Sequence, residues 1–256
     1  MLETVFMIRD GDFGSNYDFK LIGALIGALL AFYYWFRYKK LDYFWVYAIG
    51  FLVWFGVEWF LQLMGIRDIK DAYLFGCPIS SFAQALLRGG FEGALIAVMG
   101  VFFADGLMSK GKERWAFGVA LIVVLLSVVI QSLMQAIPIK NAGGEVLSRR
   151  DMLNPIGLLL LFAALAFTIW WAKTKATPLA RKRALYMYLV MAGIGLVWNI
   201  AEFTANTRWI ETGTFESPVR AALVIEFLAL SFDTFIEIAM AYMPFLVLPY
   251  LFRLIK

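Results

Sequence analysis

The sequence predicts an all-α polytopic membrane protein with seven transmembrane helices, a 3+1+3 parallel repeat, an outside N terminus and a cytoplasmic C terminus. Hydrophobic residues make up 62% of the 256 residues, and the mean hydropathy is +0.76. The apolar runs are long and recur along the chain, which is typical of multi-span proteins and not of soluble domains. Basic residues cluster in alternate short loops, and this asymmetry gives the orientation.

Seven apolar segments are each long enough to cross a bilayer, since about 20 helical residues span the hydrocarbon layer. They cover residues 21–37, 43–64, 79–104, 115–137, 154–172, 185–206 and 219–250. The last segment exceeds one crossing, and we expect Pro244 and Pro249 to kink or end it. A single domain, 1–256, is predicted, with repeat one at 21–104, a linker helix at 115–137 and repeat two at 154–250.

The loops on one predicted side carry thirteen basic residues and three acids, whereas the opposite side carries nine basic residues and ten acids. The positive-inside rule therefore places the first side in the cytoplasm of a plasma or cytoplasmic membrane. The thirteen basic residues are Arg37, Lys39, Lys40, Lys110, Lys112, Arg114, Lys173, Lys175, Arg181, Lys182, Arg183, Arg253 and Lys256.

An internal repeat is indicated by a pattern that occurs twice. Leu-Val-Trp-x-x-x-Glu is found at residues 52–58 and again at 196–202, an offset of 144. The acids Glu92 and Glu237 of the following spans are related by an offset of 145. Paired offsets of this kind predict two three-helix units joined by one extra span.

Acidic residues inside the spans provide the main functional signal. Glu226, Asp233 and Glu237 fall on one side of the last helix, and they cannot face lipid because each ionised group there would cost at least about 2.5–3.5 kcal/mol. Arg88 is the only base away from the ends of the spans, so full ionisation of these groups would give the interior a net charge of −5. The six acids are Glu58, Glu92, Glu202, Glu226, Asp233 and Glu237.

These residues predict a polar cavity that is open to the outside and ends near the middle of the membrane. Arg88 can pair with Glu92 at i+4, either as a structural ion pair or as a switch. Asn199 lies on the side of Glu202 and could complete the coordination of a hard cation. The predicted cavity-lining residues are Trp54, Gln131, Gln135 and Trp198.

The favoured function is a small secondary transporter coupled to protons or cations. The alternative is a membrane-embedded enzyme that uses carboxylate acid–base chemistry on a lipid or isoprenoid, and a non-catalytic subunit or receptor is a third interpretation. The chain has no histidine, which excludes histidine bases and histidine-ligated metals, and Cys77 alone allows no internal disulfide. No lysine in the last span could hold retinal.

The expected partners are membrane lipids and a small molecule or cation, and no nucleic acid is expected. Neither a cofactor nor a metal site is predicted, because no established motif for one occurs. Gly23 and Gly27 form a close-packing stripe on the first span. We expect this stripe to pack within the bundle, although it would also suit a homo-oligomer.

Overall fold

The computed structural model describes residues 4–9, 17–65, 72–136, 148–214 and 217–256, and this part of the chain is predominantly helical. Six helical segments are long and apolar enough to cross a membrane. The third segment is continuous but contains a π-helical section, π1. The elements of the six segments are α1 (Asp18–Tyr38), α2 (Asp42–Leu63), α3 (Ser81–Arg88), π1 (Gly89–Leu95), α4 (Ile96–Met108), α5 (Gly111–Ala136), α6 (Pro155–Thr174) and α7 (Pro178–Thr204).

The last apolar stretch is divided into short helical elements and is not one of the six. Pro244 lies at the start of the final helix, where its missing N–H does no harm, and the preceding helix ends three residues earlier at Ala241. The predicted interruption is therefore present, and Pro249 is accommodated inside the final helix. The four elements are α8 (Leu223–Phe232), π2 (Asp233–Ile238), α9 (Ala239–Ala241) and α10 (Met243–Leu251).

The prediction of an all-α chain is wrong at one end of the bundle, where four antiparallel strands form a sheet. The strand order is β4-β1-β5-β6, and a separate two-stranded hairpin, β2–β3, precedes α3. Met7 and Ile210 of the sheet pack with Ala229 of α8, so the sheet is attached to the bundle by an apolar contact. The strands are β1 (Thr4–Arg9), β2 (Tyr73–Leu74), β3 (Cys77–Pro78), β4 (Ser148–Asp151), β5 (Arg208–Gly213) and β6 (Pro218–Arg220).

Glycine allows π1 to approach its neighbours closely. A Cβ atom on Gly93 would lie 2.4 Å from the carbonyl oxygen of Gly50 in α2. A Cβ atom on Gly23 of α1 would lie 2.2 Å from the Phe91 ring, and one on Gly27 would lie 3.0 Å from Leu95 Cα. The predicted glycine stripe of α1 therefore packs within the same chain, against π1.

An ion cluster around the buried Arg183 joins the helices at the end opposite the sheet. The guanidinium of Arg183 in α7 contacts Asp42 at 2.8 Å and Asp105 at 2.6 Å. The hydroxyl group of Tyr43 also donates to Asp105, at 2.9 Å. Arg183, which was predicted to lie in a loop, is thus a buried partner of two acids and connects α2, α4 and α7.

Candidate functional site

A cavity of about 620 Å³ occupies the interior of the bundle. Its walls come from α2, π1, α4, α5, α6 and α7 and from the π2–α10 stretch, and strand β4 contributes residues at the sheet end. Much of the wall is apolar, including Leu61, Met99, Val128, Leu161 and Ile194. The predicted site residues that line it are Trp54, Glu58, Glu92, Gln131, Trp198, Glu202, Asp233 and Glu237.

The remaining predicted residues have other positions. Arg88 and Asn199 lie behind the wall and contact the acids that line it. Glu226 is buried outside the lining and pairs with Arg220 of β6 at 3.0 Å. The side chain of Gln135 lies outside the described residues.

On the α2–π1 side, Arg88 holds two of the cavity acids. Its guanidinium lies 3.5 Å from Glu58 and 3.8 Å from Glu92. Its Nε–H donates to the hydroxyl group of Tyr17 at 3.0 Å. Burial raises the pKa of Tyr17, so this phenol stays neutral and acts as an acceptor for the arginine. The predicted Arg88–Glu92 pair is present, and Glu58 joins it.

On the α7–π2 side, the central cation is Arg208, the first residue of β5, which is completely buried. Its guanidinium contacts Glu202 at 2.6 Å and Asp233 at 2.9 Å, and it also donates to the side-chain oxygen of Asn199. The guanidinium carbon lies 5.2 Å from the centre of the Trp198 ring, which is within cation–π range. A strand residue thus neutralises acids of two helices.

Arg150 of the edge strand β4 reaches into the same side of the cavity. Its Nη2 contacts Glu237 at 2.6 Å and Asp233 at 3.3 Å. Desolvation lowers the pKa of Arg150, but the two carboxylates outweigh this effect, and the net pKa is raised. Arg150 therefore stays charged and links the sheet to π2.

The acids of the spans were expected to need compensation, and strand residues supply part of it. The six span acids are accompanied by the arginines Arg88, Arg150, Arg208 and Arg220 within the described part of the chain. Lys20 of α1 is also buried, with its ammonium 3.9 Å from the centre of the Tyr17 ring. Most of the negative charge is therefore compensated inside the protein, and this weakens the case for obligatory neutralisation by a transported cation.

Asn199 was considered as a ligand that could complete a cation site. In the structure, both its amide nitrogen and its side-chain oxygen form hydrogen bonds with protein groups. Its amide nitrogen donates to Asp233 at 2.9 Å and to Thr234 at 2.8 Å, and its oxygen accepts from Arg208. Within the described ranges, no group of three or more His, Cys, Asp or Glu side chains has a metal-binding arrangement.

Compared with known protein families, curated proteins and solved structures, the chain shows no significant similarity. Its function therefore has to be inferred from the geometry of the cavity.

The side chains of two of the cavity acids are more exposed than those of the other three, and both of these residues belong to π-helices. The side chains of Glu92 in π1 and Glu237 in π2 are 14% and 18% exposed. Those of Glu58, Asp233 and Glu202 are 1%, 2% and 6% exposed. Because π-helical segments often occur at functional sites, Glu92 and Glu237 are the strongest candidates for direct contact with a bound molecule.

Aromatic groups form part of the wall next to these acids. The Trp54 ring stacks on the Tyr242 ring, with centroids 5.3 Å apart and planes inclined by 13°. The indole Nε1 of Trp54 is buried and has no hydrogen-bond partner among the described residues. Trp54 lines the cavity, but this N–H is inaccessible to a molecule the size of water, so a ligand could accept from it only after the indole had moved.

Sequence reasoning missed three arginines that pair with these acids, namely Arg150, Arg208 and Arg220. It counted all three among the basic residues of the outer side. The signal that could have found them was charge balance, since buried acids require partners and the loops next to the outer helix ends hold the nearest arginines. Hydropathy alone could not show that strands would direct these side chains into the bundle.

Proposed function

We propose that the chain is a membrane-embedded enzyme that transfers protons to and from a lipid or isoprenoid substrate. The observation that carries this proposal is the shape of the site: two π-helices present Glu92 and Glu237 to one cavity with largely apolar walls. A volume of about 620 Å³ is in the range of small-molecule sites. Apolar walls suit a hydrocarbon chain, and the carboxylates suit acid–base chemistry at one point along it.

The two carboxyl groups have different arginine neighbours. Arg150 lies 2.6 Å from Glu237, and Arg88 lies 3.8 Å from Glu92. The shorter of these two contacts favours the charged form of its carboxyl group more strongly. On this ground we assign the transferable proton to Glu92 and the role of base to Glu237.

The reaction class is isomerisation of a carbon–carbon double bond. Glu92 adds its proton to one alkene carbon, and the adjacent carbon becomes a carbocation. Glu237 then removes a proton from a neighbouring carbon, and the double bond forms again at a new position. Trp54 and Tyr242 both line the cavity, and an aromatic ring beside the intermediate cation would stabilise it. Proton exchange with solvent returns both acids to their starting states, so no co-reactant is needed.

Deuterium incorporation tests this chemistry for any unsaturated lipid of the membrane. The protein in nanodiscs is incubated in D₂O with a total lipid extract of its host membrane, and the extract is analysed by mass spectrometry. We expect the wild type to add deuterium to one unsaturated component, and Glu92→Gln and Glu237→Gln to abolish this addition. Glu226→Gln is the matched control, because Glu226 is buried but does not line the cavity. If the wild type labels no component, the enzyme proposal fails.

A proton- or cation-coupled carrier is the second candidate, favoured by the similarity of two halves. In each half, two helices are followed by a pair of short strands and by a helical stretch that contains a π-helix, starting at Gly89 in one half and Asp233 in the other. This similarity supports the 3+1+3 repeat, an arrangement used by carriers. Flux in proteoliposomes that persists in Asp233→Asn and Glu92→Gln would count against the carrier.

We also propose that the α8–α10 stretch is the seventh crossing and that the sheet lies outside. The pairing of Arg183 with Asp42 and Asp105 is compatible with this orientation, because two of the three acids at the predicted cytoplasmic end are then matched by one of its thirteen basic residues.

Cys77 provides a direct test of the orientation. It is the only cysteine of the chain and is exposed in the β2–β3 hairpin. We expect a membrane-impermeant maleimide to label intact cells that express the wild type and to leave Cys77→Ser unlabelled. Labelling that requires permeabilised cells would reverse the proposed orientation.

A further inference from the structure

The lining of the cavity is exposed at one place only, among the residues that the structure describes. Ser127 and Gln131 of α5 and Leu160 of α6 line the cavity and are exposed, whereas all other lining residues are buried or half-buried. Leu160 is 38% exposed. The cavity therefore reaches the surface of the bundle between α5 and α6.

The packing of these two helices is consistent with an opening between them. α5 packs against α4 and α7, whereas α6 packs against α9 and α10. The two helices thus belong to different packing groups on either side of the cavity.

The surface around this opening is apolar. In the most apolar 18-residue stretch of α5, only 6% of the residues are buried inside the protein. Val123 and Ile130, which flank the lining positions on α5, are exposed, and so is Leu159 beside Leu160. A membrane-spanning surface of this composition is in contact with lipid. The opening therefore leads into the bilayer and not into water.

We infer that the substrate is a membrane-dissolved molecule that enters sideways, between α5 and α6, with an apolar chain that can remain between these helices. This inference rests on the proposed function and specifies its substrate class. The opening lies near the sheet end of the bundle, where α5 ends and α6 begins, so the substrate comes from the leaflet on that side. Gln131 and Ser127 offer polar groups to its less apolar end as it passes.

Gly157 is the position at which the route can be closed with the least disturbance. It lines the cavity near the start of α6, and a Cβ atom added there would meet no heavy atom within 4 Å. Its backbone N–H is held by the side chain of Asn154, a contact that a substitution keeps. Gly118 of α5 also has free space but does not line the cavity, so it is a matched control.

The test uses a long-chain isoprenoid alcohol that carries a diazirine, dissolved in the membrane of proteoliposomes. We expect irradiation to label cavity residues of the wild type and of Gly118→Trp, and we expect this labelling to be lost in Gly157→Trp. Undiminished labelling of Gly157→Trp would overturn sideways access and leave the enzyme proposal standing. Absence of labelling in the wild type, in membranes and in detergent alike, would overturn both.

A reversible closure separates blocked access from misfolding. Ser127→Cys and Leu160→Cys are combined in a Cys77→Ser background and joined by a reducible bis-maleimide. We expect the cross-link to prevent labelling by the diazirine probe, and reduction to restore it in the same sample. Full labelling of the cross-linked protein would contradict access between α5 and α6.

Discussion

Replacement of Arg208 by alanine is expected to destabilise the protein by about 3–5 kcal/mol, the usual cost of removing one partner from a buried ion pair. Arg208 is completely buried and contacts Glu202, Asp233 and Asn199. Without it, two carboxylates remain in a nonpolar interior with fewer partners. The free energy of unfolding, measured by reversible denaturation in mixed detergent micelles, reports the loss.

Arg114→Ala is the matched control for this experiment, because it removes the same side chain from an exposed position on α5. A surface change of this kind is expected to alter the free energy of unfolding by no more than about 0.5 kcal/mol. Adding Asp233→Asn to Arg208→Ala should recover part of the loss, since it removes one of the unpaired charges. Equal stability of the two arginine variants would contradict the central role of Arg208.

Gly93→Ala is expected to have the second large effect. The new Cβ atom would lie 2.3 Å from Cβ of Trp54 and 2.4 Å from the carbonyl oxygen of Gly50. Since one of these atoms belongs to the backbone, α2 and π1 must move apart, and overpacking of this kind costs about 1–3 kcal/mol or more. The same shift displaces Glu92 and Trp54, so the deuterium exchange proposed for the site should fall with the free energy of unfolding.

Gly118→Ala is a control for which the free energy of unfolding is not expected to fall. The added methyl group meets no heavy atom within 4 Å, and alanine is favoured over glycine in helices by about 1 kcal/mol. Unchanged or slightly increased stability is therefore expected there, in the same denaturation experiment. If Gly93→Ala also stabilised the protein, the close approach of π1 and α2 would be refuted.

The positions of the long helices could be read from the sequence because hydropathy and length determine whether a segment can cross a bilayer. The predicted spans 43–64 and 154–172 correspond closely to Asp42–Leu63 and Pro155–Thr174. The seventh span and the repeat remain predictions. The sheet was not predicted, because Ser148–Asp151 is short and polar and resembles a loop until strand pairing satisfies its backbone groups.

Part of the candidate site followed from one physical argument, namely that charged residues in a span must avoid lipid. The structure places Glu58, Glu92, Glu202, Asp233 and Glu237 around one cavity, although their functional roles remain predictions. The same argument was applied only to residues within the spans. It therefore missed the strand arginines, whose distance from the acids depends on tertiary structure and cannot be read from spacing along the chain.

The central place of β1 in the sheet has a consequence for biosynthesis. This strand is made first, but its neighbours β4 and β5 emerge only after α5 and α7 have been synthesised. Arg150 belongs to β4 and Arg208 to β5. The final positions of both arginines therefore depend on pairing with β1, which is synthesised long before either strand. Insertion of the helices can thus proceed stepwise, whereas completion of the charge pairs of Arg150 and Arg208 requires β1 to pair with strands that are synthesised much later.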